Sequence, residues 1–139
     1  MIICDTSGLV AAYSGNDPRQ RLVADLLRKD PGPLILSPFV LAELDYLTAT
    51  RAGVRAELNL LGDVASGIYT VAHFDRFDVG QAVTLVERYQ QMNIGIADAS
   101  LVVLAAKYRT TRLLTFDERH FRAIRPLHAD AFALLPADG

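Results

Sequence analysis

Short apolar runs alternate with amphipathic stretches along this chain, and this alternation limits the possible folds more than any other feature of the sequence. Runs this short suit strands that are buried on both faces of a sheet. The predicted strands are residues 1–4, 34–36, 68–72 and 112–116, with residues 131–135 as a candidate edge strand.

The stretches between these runs carry helical signals. Two of them begin with a capping residue followed by proline, Asp17-Pro18 and Ser37-Pro38, which is typical of a helix start. The predicted helices cover about 17–29, 37–51, 55–65, a segment from about 78, and 99–106. The alternation predicts one α/β domain over residues 1–139, a three-layer α/β/α sandwich around a central, mainly parallel sheet of four to five strands.

Composition excludes several classes of protein. Hydrophobic residues make up 51% and charged residues 22%, which is a globular balance. The single cysteine, Cys4, cannot form an internal disulfide, and no apolar run approaches the ~20 residues that cross a bilayer. The N-terminus lacks the basic start of a signal peptide. We therefore expect a cytoplasmic protein with no membrane partner.

Four acids fall where a parallel sheet places its ligand crevice, at the carboxyl ends of the strands. Asp5 ends the first predicted strand and Asp117 ends the fourth. Glu43 lies in the second turn of the helix that follows the second strand, and Asp98 begins a buried helix. We expect these side chains to converge on one rim.

Each acid also has a structural interpretation. Asp5, Asp98 and Asp117 are all plausible N-caps, which is the commonest role of Asp beside a helix start. Glu43 is flanked by apolar residues, and a Glu on the buried side of a helix without a partner would be costly, which favours a functional role. Asp45 is expected to face solvent or to be structural.

Carboxylates that cluster without cations raise one another's pKa, so such a pocket normally holds a cation or a shared proton. Oxygen ligands without convergent Cys or His favour Mg²⁺ or Mn²⁺ over zinc. The chemistry that such an ion serves is phosphodiester hydrolysis. Thr6, Ser7 and Thr115 lie beside the acids as candidate supporting hydroxyls, and local turn hydrogen bonding is their alternative role.

Basic residues are concentrated late in the chain. The net charge is -2, but residues 107–128 carry six basic side chains against two acidic ones, while the rest carries eight against fourteen. A cationic face could meet a polyanion, although an ordinary solvated surface explains the same pattern. The candidate RNA-binding residues are Arg112, Arg119, Arg122 and Arg125.

Four motifs in order resemble the PIN-domain nucleases, and among them the VapC toxins of bacterial toxin–antitoxin pairs. They are an apolar strand into Asp5-Thr-Ser, Ser-Pro-Phe-Val-Leu-Ala-Glu43, Gly-Ile-Ala-Asp98-Ala, and Leu-Leu-Thr-Phe-Asp117. One such motif would be weak evidence, but four in order cover the chain to about Phe121.

The resemblance implies a Mg²⁺- or Mn²⁺-dependent endoribonuclease that cuts tRNA or rRNA to inhibit translation. It further implies a homodimer, and a cognate VapB-type antitoxin that blocks the acidic pocket and can join the toxin in a larger hetero-oligomer. Asp5, Glu43, Asp98 and Asp117 fall on the acid positions of the family, as catalytic and metal-binding residues, with Thr6 or Ser7 and Thr115 in support. The residues beyond Arg125 are less characteristic of the family, and the resemblance implies no role for them.

Other classes fit the sequence less well. A receiver domain needs an acidic pair and a late-strand lysine, but the only lysines lie in predicted helices; a haloacid-dehalogenase-type phosphatase needs an acid where Ser7 stands. Cys4 has no plausible His near it in sequence, and His120 suits a surface or structural role better than a phosphate contact. A PIN nuclease of RNA processing and a non-catalytic PIN-like RNA- or protein-binding module remain alternatives.

Overall fold

The computed structural model describes the whole chain, Met1–Gly139, as five strands and seven α-helices. In chain order these are β1 (Ile2–Cys4), α1 (Thr6–Tyr13), α2 (Gln20–Lys29), β2 (Leu34–Leu36), α3 (Pro38–Ala52), α4 (Val54–Ala65), β3 (Thr70–Val71), α5 (Arg76–Arg88), α6 (Ile96–Tyr108), β4 (Arg112–Leu114), α7 (Glu118–Ala123) and β5 (Ala133–Leu135), with a 3₁₀ turn at Gln90–Met92.

The five strands form one sheet in the order β3-β2-β1-β4-β5, and every neighbouring pair is parallel. This confirms the predicted parallel α/β fold, and the candidate edge strand is β5. Every residue of β1 and β2 is buried, as expected for strands covered by helices on both faces. No helix combines the length and the hydrophobicity that crossing a bilayer requires.

The order of the strands positions the functional site. From β1 the chain adds β2 and β3 on one side, and then crosses to add β4 and β5 on the other. The direction of growth therefore reverses between β1 and β4. In open parallel sheets the ligand crevice opens at this switch point, beyond the carboxyl ends of the strands. Asp5 follows β1 and Thr115 follows β4, so both lie at the crevice.

Some element boundaries differ from the sequence predictions. The strong N-cap at Ser37 is confirmed, since its Oγ accepts a hydrogen bond from Phe39 N. The predicted start at Asp17 is wrong, because α2 begins at Gln20 and the Asp17 carboxylate instead accepts from Arg19 N. Helix α1 was not predicted; most of its residues are buried, so it shows no polar face to mark it as helical.

Candidate functional site

Asp5 lies at the carboxyl end of the central strand and is the N-cap of α1. Its side chain is held by three donors: Thr6 N reaches Oδ1 at 2.8 Å, while Ser7 Oγ and Thr115 Oγ1 reach Oδ2 at 2.9 and 2.7 Å. Burial raises the pKa of Asp5, and these hydrogen bonds oppose that rise. A carboxylate has about four lone-pair sites, so roughly one stays free for another ligand.

The Ser7 and Thr115 hydroxyls join the ends of β1 and β4. They lie 3.2 Å apart, and each also accepts a backbone N–H, Ser7 from Phe116 and Thr115 from Asp117, both at 2.9 Å. Local turn hydrogen bonding, seen between Asp117 N and Thr115, and support of an acid, seen in the bonds to Asp5, therefore both occur at these hydroxyls. Thr6 differs from them, because its Oγ1 is buried without a hydrogen-bond partner and only its backbone N–H contacts Asp5.

Asp117 is the N-cap of α7 and brings His120 to the rim. Asp117 Oδ1 accepts from His120 N at 3.2 Å, and Asp117 Oδ2 lies 3.0 Å from His120 Nδ1. The same Nδ1 lies 3.5 Å from Asp98 Oδ2. These approaches suit charge pairing but are not aligned as hydrogen bonds, since Nδ1 has no hydrogen-bond partner. His120 therefore lies between two acids of the rim, a position that the sequence analysis, which favoured a surface or structural role, did not predict.

Asp98 is the third residue of α6, whose N-cap is Gly95, so the alternative interpretation of Asp98 as a helix cap is wrong. Its position in the first turn still lets the helix dipole favour its negative charge. Burial raises the pKa of Asp98 to about 6, and the charges of Asp5, Asp117 and Glu43 add to that rise while His120 opposes it. The three other acids therefore all lie close enough to act on Asp98.

Glu43 reaches this group from α3, but it does so from the solvent side. The buried positions of α3 are Val40, Leu44 and Thr48, spaced by four residues, and Glu43 falls outside this stripe and is exposed. The argument that Glu43 is a costly buried carboxylate is therefore wrong, although its effect on the pKa of Asp98 places it beside the rim.

A buried hydroxyl pair fixes α3 against α6. Ser37, the N-cap of α3, lies with its Oγ 2.7 Å from Ser100 Oγ of α6, and both residues are fully buried. Because Ser100 donates to Ala97 O at 2.6 Å, Ser37 is the donor in the pair. This contact sets the spacing of the two helices that carry Glu43 and Asp98.

The donor set fits a hydrated divalent ion better than a fully chelated one. No three His, Cys, Asp or Glu side chains stand close enough together to ligate one ion directly. Mg²⁺ is usually bound through one or two carboxylates and keeps several waters, so wider spacing is compatible with it. The carboxylates of Asp5, Asp98, Asp117 and Glu43 supply hard oxygen donors and excess negative charge that a cation would neutralise.

The predicted basic face is not assembled around this rim. Arg112 lies at the amino end of β4, away from the carboxyl ends of the strands, and its Nη1 is 2.7 Å from Asp30 Oδ1. Arg122 pairs with Glu118 at 2.9 Å and Asp138 at 2.7 Å, and Arg125 lies 3.6 Å from Asp130. Arg119 is exposed on α7, the helix that carries His120.

His120 is the rim residue that sequence reasoning left out. A signal was present, because Asp117 was recognised as a plausible N-cap, and residues three apart at a helix start lie on one face. Treating Asp117 as the first residue of a helical pattern would have placed His120 beside it.

Comparisons with known proteins agree with this architecture. The family model described as PIN domain matches residues 2–126. The chain is 44% identical over 135 residues to Ribonuclease VapC26 of Mycobacterium tuberculosis, covering 97% of this chain and 100% of that protein. The chain therefore belongs to the PIN-domain family, and within it to the VapC ribonucleases.

Solved structures show the same fold. The crystal structure of Mycobacterium tuberculosis VapC20, described as a sarcin–ricin loop cleaving toxin, superposes with a TM-score of 0.77 at 25% identity, over 84% of this chain and 90% of that one. FitAcB from Neisseria gonorrhoeae gives a TM-score of 0.58 at 22% identity, over 85% and 88% of the two chains, and supports the fold alone.

Proposed function

We propose that this chain is a Mg²⁺- or Mn²⁺-dependent endoribonuclease toxin, neutralised by a cognate VapB-type antitoxin. The observation that carries the hydrolytic part is the electrostatic coupling of Asp5, Glu43 and Asp117 to Asp98 at the switch point of the sheet. Carboxylates gathered in this way favour a bound cation. The 44% identity to a VapC ribonuclease supports RNA as the substrate.

In this proposal Asp5, Asp98 and Glu43 would hold the ion, in part through its bound waters, and Asp117 would act on a second ion or through water. A bound ion would supply Lewis-acid stabilisation of the attacking and leaving oxygens of the phosphodiester. The three hydrogen bonds to Asp5 fix its carboxylate in one orientation, so little reorganisation is needed when substrate binds. His120 Nδ1 lies 3.5 Å from Asp98 and 3.0 Å from Asp117, so a protonated His120 would partly balance the charge of these two acids.

The proposed substrate class is structured RNA of the translation machinery, tRNA or rRNA, and the proposed location is the cytoplasm. The description of VapC20 as a sarcin–ricin loop cleaving toxin supports rRNA as one candidate. The alternative functions, an RNA-processing nuclease and a non-catalytic PIN-like module, differ from the toxin in their effect on growth and in their chemistry. Growth arrest on expression, reversed by co-expression of the neighbouring antitoxin gene, would separate a toxin from a processing nuclease.

We expect the purified protein to cleave RNA with Mg²⁺ or Mn²⁺, to lose cleavage in excess EDTA, and to regain it when the ion is restored. The reason is that the four acids would repel the phosphodiester unless a cation neutralised them. Gel mapping of end-labelled tRNA and rRNA fragments measures the effect. Cleavage that persists in EDTA would contradict the metal mechanism, and RNA binding without cleavage under any ion would favour the non-catalytic module.

We further propose that the chain forms a homodimer through the outer face of α5. Val79, Val83 and Val86 recur at helical spacing there and, with Ile96, line an apolar groove of about 350 Å³. Val83 is 58% exposed, which is unfavourable for a valine in a monomer. Ile96 lies two residues before Asp98, so this interface would border the acidic rim.

The substitution Val83→Glu is expected to convert the dimer to a monomer, because it places a charge in the centre of the apolar groove. Thr84→Glu is the matched control, since it adds the same charge at the next exposed position of α5, outside the valine stripe. Size-exclusion chromatography with light scattering measures the mass of each. A monomeric wild-type protein, or equal masses for the two variants, would rule this interface out.

A further inference from the structure

A cleft of about 720 Å³ lies between α1, the loop that follows it and the end of α3, and none of the roles proposed above uses it. Val10 of α1 and the C-cap residue Ser14 form one wall, the loop 15–19 forms a second, and Arg51 at the end of α3 closes it. Its volume is within the usual range of ligand sites, about 300–1,000 Å³. Its lining is mainly polar and contains two arginines, Arg19 and Arg51.

Arg19 connects this cleft to the rim. Its guanidinium carbon lies 4.1 Å from the centroid of the Phe116 ring, in a cation–π contact. The backbone N–H of Phe116 donates to Ser7 Oγ at 2.9 Å, and Ser7 in turn donates to Asp5. Arg19 of the cleft therefore contacts Phe116, the residue whose backbone N–H belongs to the hydrogen-bond network around Asp5.

The orientation of Arg19 leaves donors available. Arg19 donates to the Asp17 carboxylate from Nε at 3.0 Å and from Nη2 at 2.9 Å, which holds the guanidinium in place and leaves Nη1 without a partner in the chain. Arg51 is exposed and forms no ion pair. With Asp17 counted, the lining keeps an excess of one positive charge. Arginine donors in this arrangement suit phosphate oxygens.

We propose that the cleft between Arg19 and Arg51 binds backbone phosphates of the RNA strand flanking the bond that is cut. The inference rests on the proposed ribonuclease function, because it assigns the rim to the scissile phosphate. The neighbouring phosphates of the same RNA strand must then lie on surfaces next to the rim. The cleft is a cationic surface that the contact of Arg19 with Phe116 connects to the rim. Two of the basic residues predicted from sequence fit this role less well, since Arg112 lies at the amino end of β4 and Arg122 is paired with two carboxylates. Arg119 is exposed and unpaired on α7.

The test is binding of a fluorescent single-stranded RNA of mixed sequence in EDTA, which prevents cleavage, measured by anisotropy over a series of salt concentrations. The variants are Arg51→Gln, Arg19→Gln and the double substitution. Arg109→Gln is the matched control, because Arg109 is also exposed and unpaired but follows the far end of α6 from Asp98.

Each phosphate contact contributes about 0.7 to the slope of log affinity against log salt for a single strand, which corresponds to roughly five-fold in affinity near 0.1 M salt. We expect Arg51→Gln to weaken binding by about this factor with a shallower slope, the double variant to weaken it further, and Arg109→Gln to bind as the wild type does. Arg19→Gln also removes the stacking on Phe116, so Arg19→Lys, which keeps the charge, is expected to keep the wild-type slope.

Unchanged affinity and slope in the double variant, with cleavage of RNA by the wild type intact, would overturn the cleft while leaving the proposed function standing. An equal loss in Arg109→Gln would overturn it as well, since the effect would then be general surface charge. If the double variant lost affinity for poly(glutamate) but not for RNA, the cleft would belong to an acidic polypeptide. A wild-type protein that neither binds nor cleaves RNA would overturn both proposals together.

Discussion

Asp98→Asn is expected to remain folded and to lose RNA cleavage by at least about a hundred-fold, since changes even to the outer partners of metal ligands commonly cost ~10–100-fold. Asn keeps the shape of the side chain but removes the charge that would hold the ion. At neutral pH the Asp98 carboxylate is disfavoured by burial and by Asp5, as its pKa of about 6 indicates. The neutral amide should therefore leave the unfolding midpoint in metal-free buffer at or above that of the wild type.

Initial cleavage rates over a Mg²⁺ titration, together with thermal unfolding, measure this result. The matched control is Asp130→Asn, which makes the same chemical change at a fully exposed position away from the rim. Asp5→Asn should also be inactive, but it is the less clean test, because Asn cannot accept all three hydrogen bonds that Asp5 accepts. Wild-type rates in Asp98→Asn at any Mg²⁺ concentration would remove Asp98 from the site.

Gly8→Ala is expected to destabilise the protein by about 1–3 kcal/mol, the usual cost of overpacking. A Cβ at Gly8 would lie 2.6 Å from Leu114 Cγ and 3.0 Å from Leu114 O. That same carbonyl accepts the N–H of Asp5 at 2.9 Å, so the end of β4 cannot yield without disturbing the rim. Cleavage should therefore fall together with stability.

Gly62→Ala is the control for this prediction. Gly62 lies within α4, and a Cβ there meets nothing within 4 Å. Because Gly is worse than Ala inside a helix by roughly 0.5–1 kcal/mol, this variant should be more stable than the wild type. Chemical denaturation of the two variants gives the comparison. Equal stability of Gly8→Ala and the wild type would mean that α1 can move away from β4 at little cost.

The fold could be predicted from the sequence because the strands β1 and β2 are short, apolar and fully buried, whereas the predicted burial is wrong for β3, whose two residues are exposed. The positions of Asp5 and Asp117 followed from the same pattern, since each residue comes directly after an apolar run and parallel strands end at one edge. Helix α1 was missed for a related reason. Its residues Leu9, Val10 and Ala11 are buried, and a helix that is apolar nearly all round has no periodic signal.

The pattern of apolar runs does not predict the orientation of individual side chains or which charged groups pair with one another. Glu43 sits between apolar neighbours in sequence, yet the helical period turns it to solvent. Arg112 and Asp117 are only five residues apart in sequence, but strand β4 extends from Arg112 toward Asp117. Arg112 therefore lies at the amino end of β4, where it pairs with Asp30, and Asp117 lies beyond the carboxyl end. The contact between His120 and Asp98 joins two helices, and no local pattern records it.

The central strand β1 is synthesised long before β4, the strand that completes the crevice beside it. Asp5 accepts a hydrogen bond from the hydroxyl of Thr115, which lies 110 residues further along the chain. Strand β4 must therefore be in place before the crevice exists. A nascent polypeptide that has not yet emerged as far as Thr115 therefore has no assembled rim. On the proposed function, the chain cannot cleave the RNA of the ribosome that is translating it before synthesis has passed Thr115.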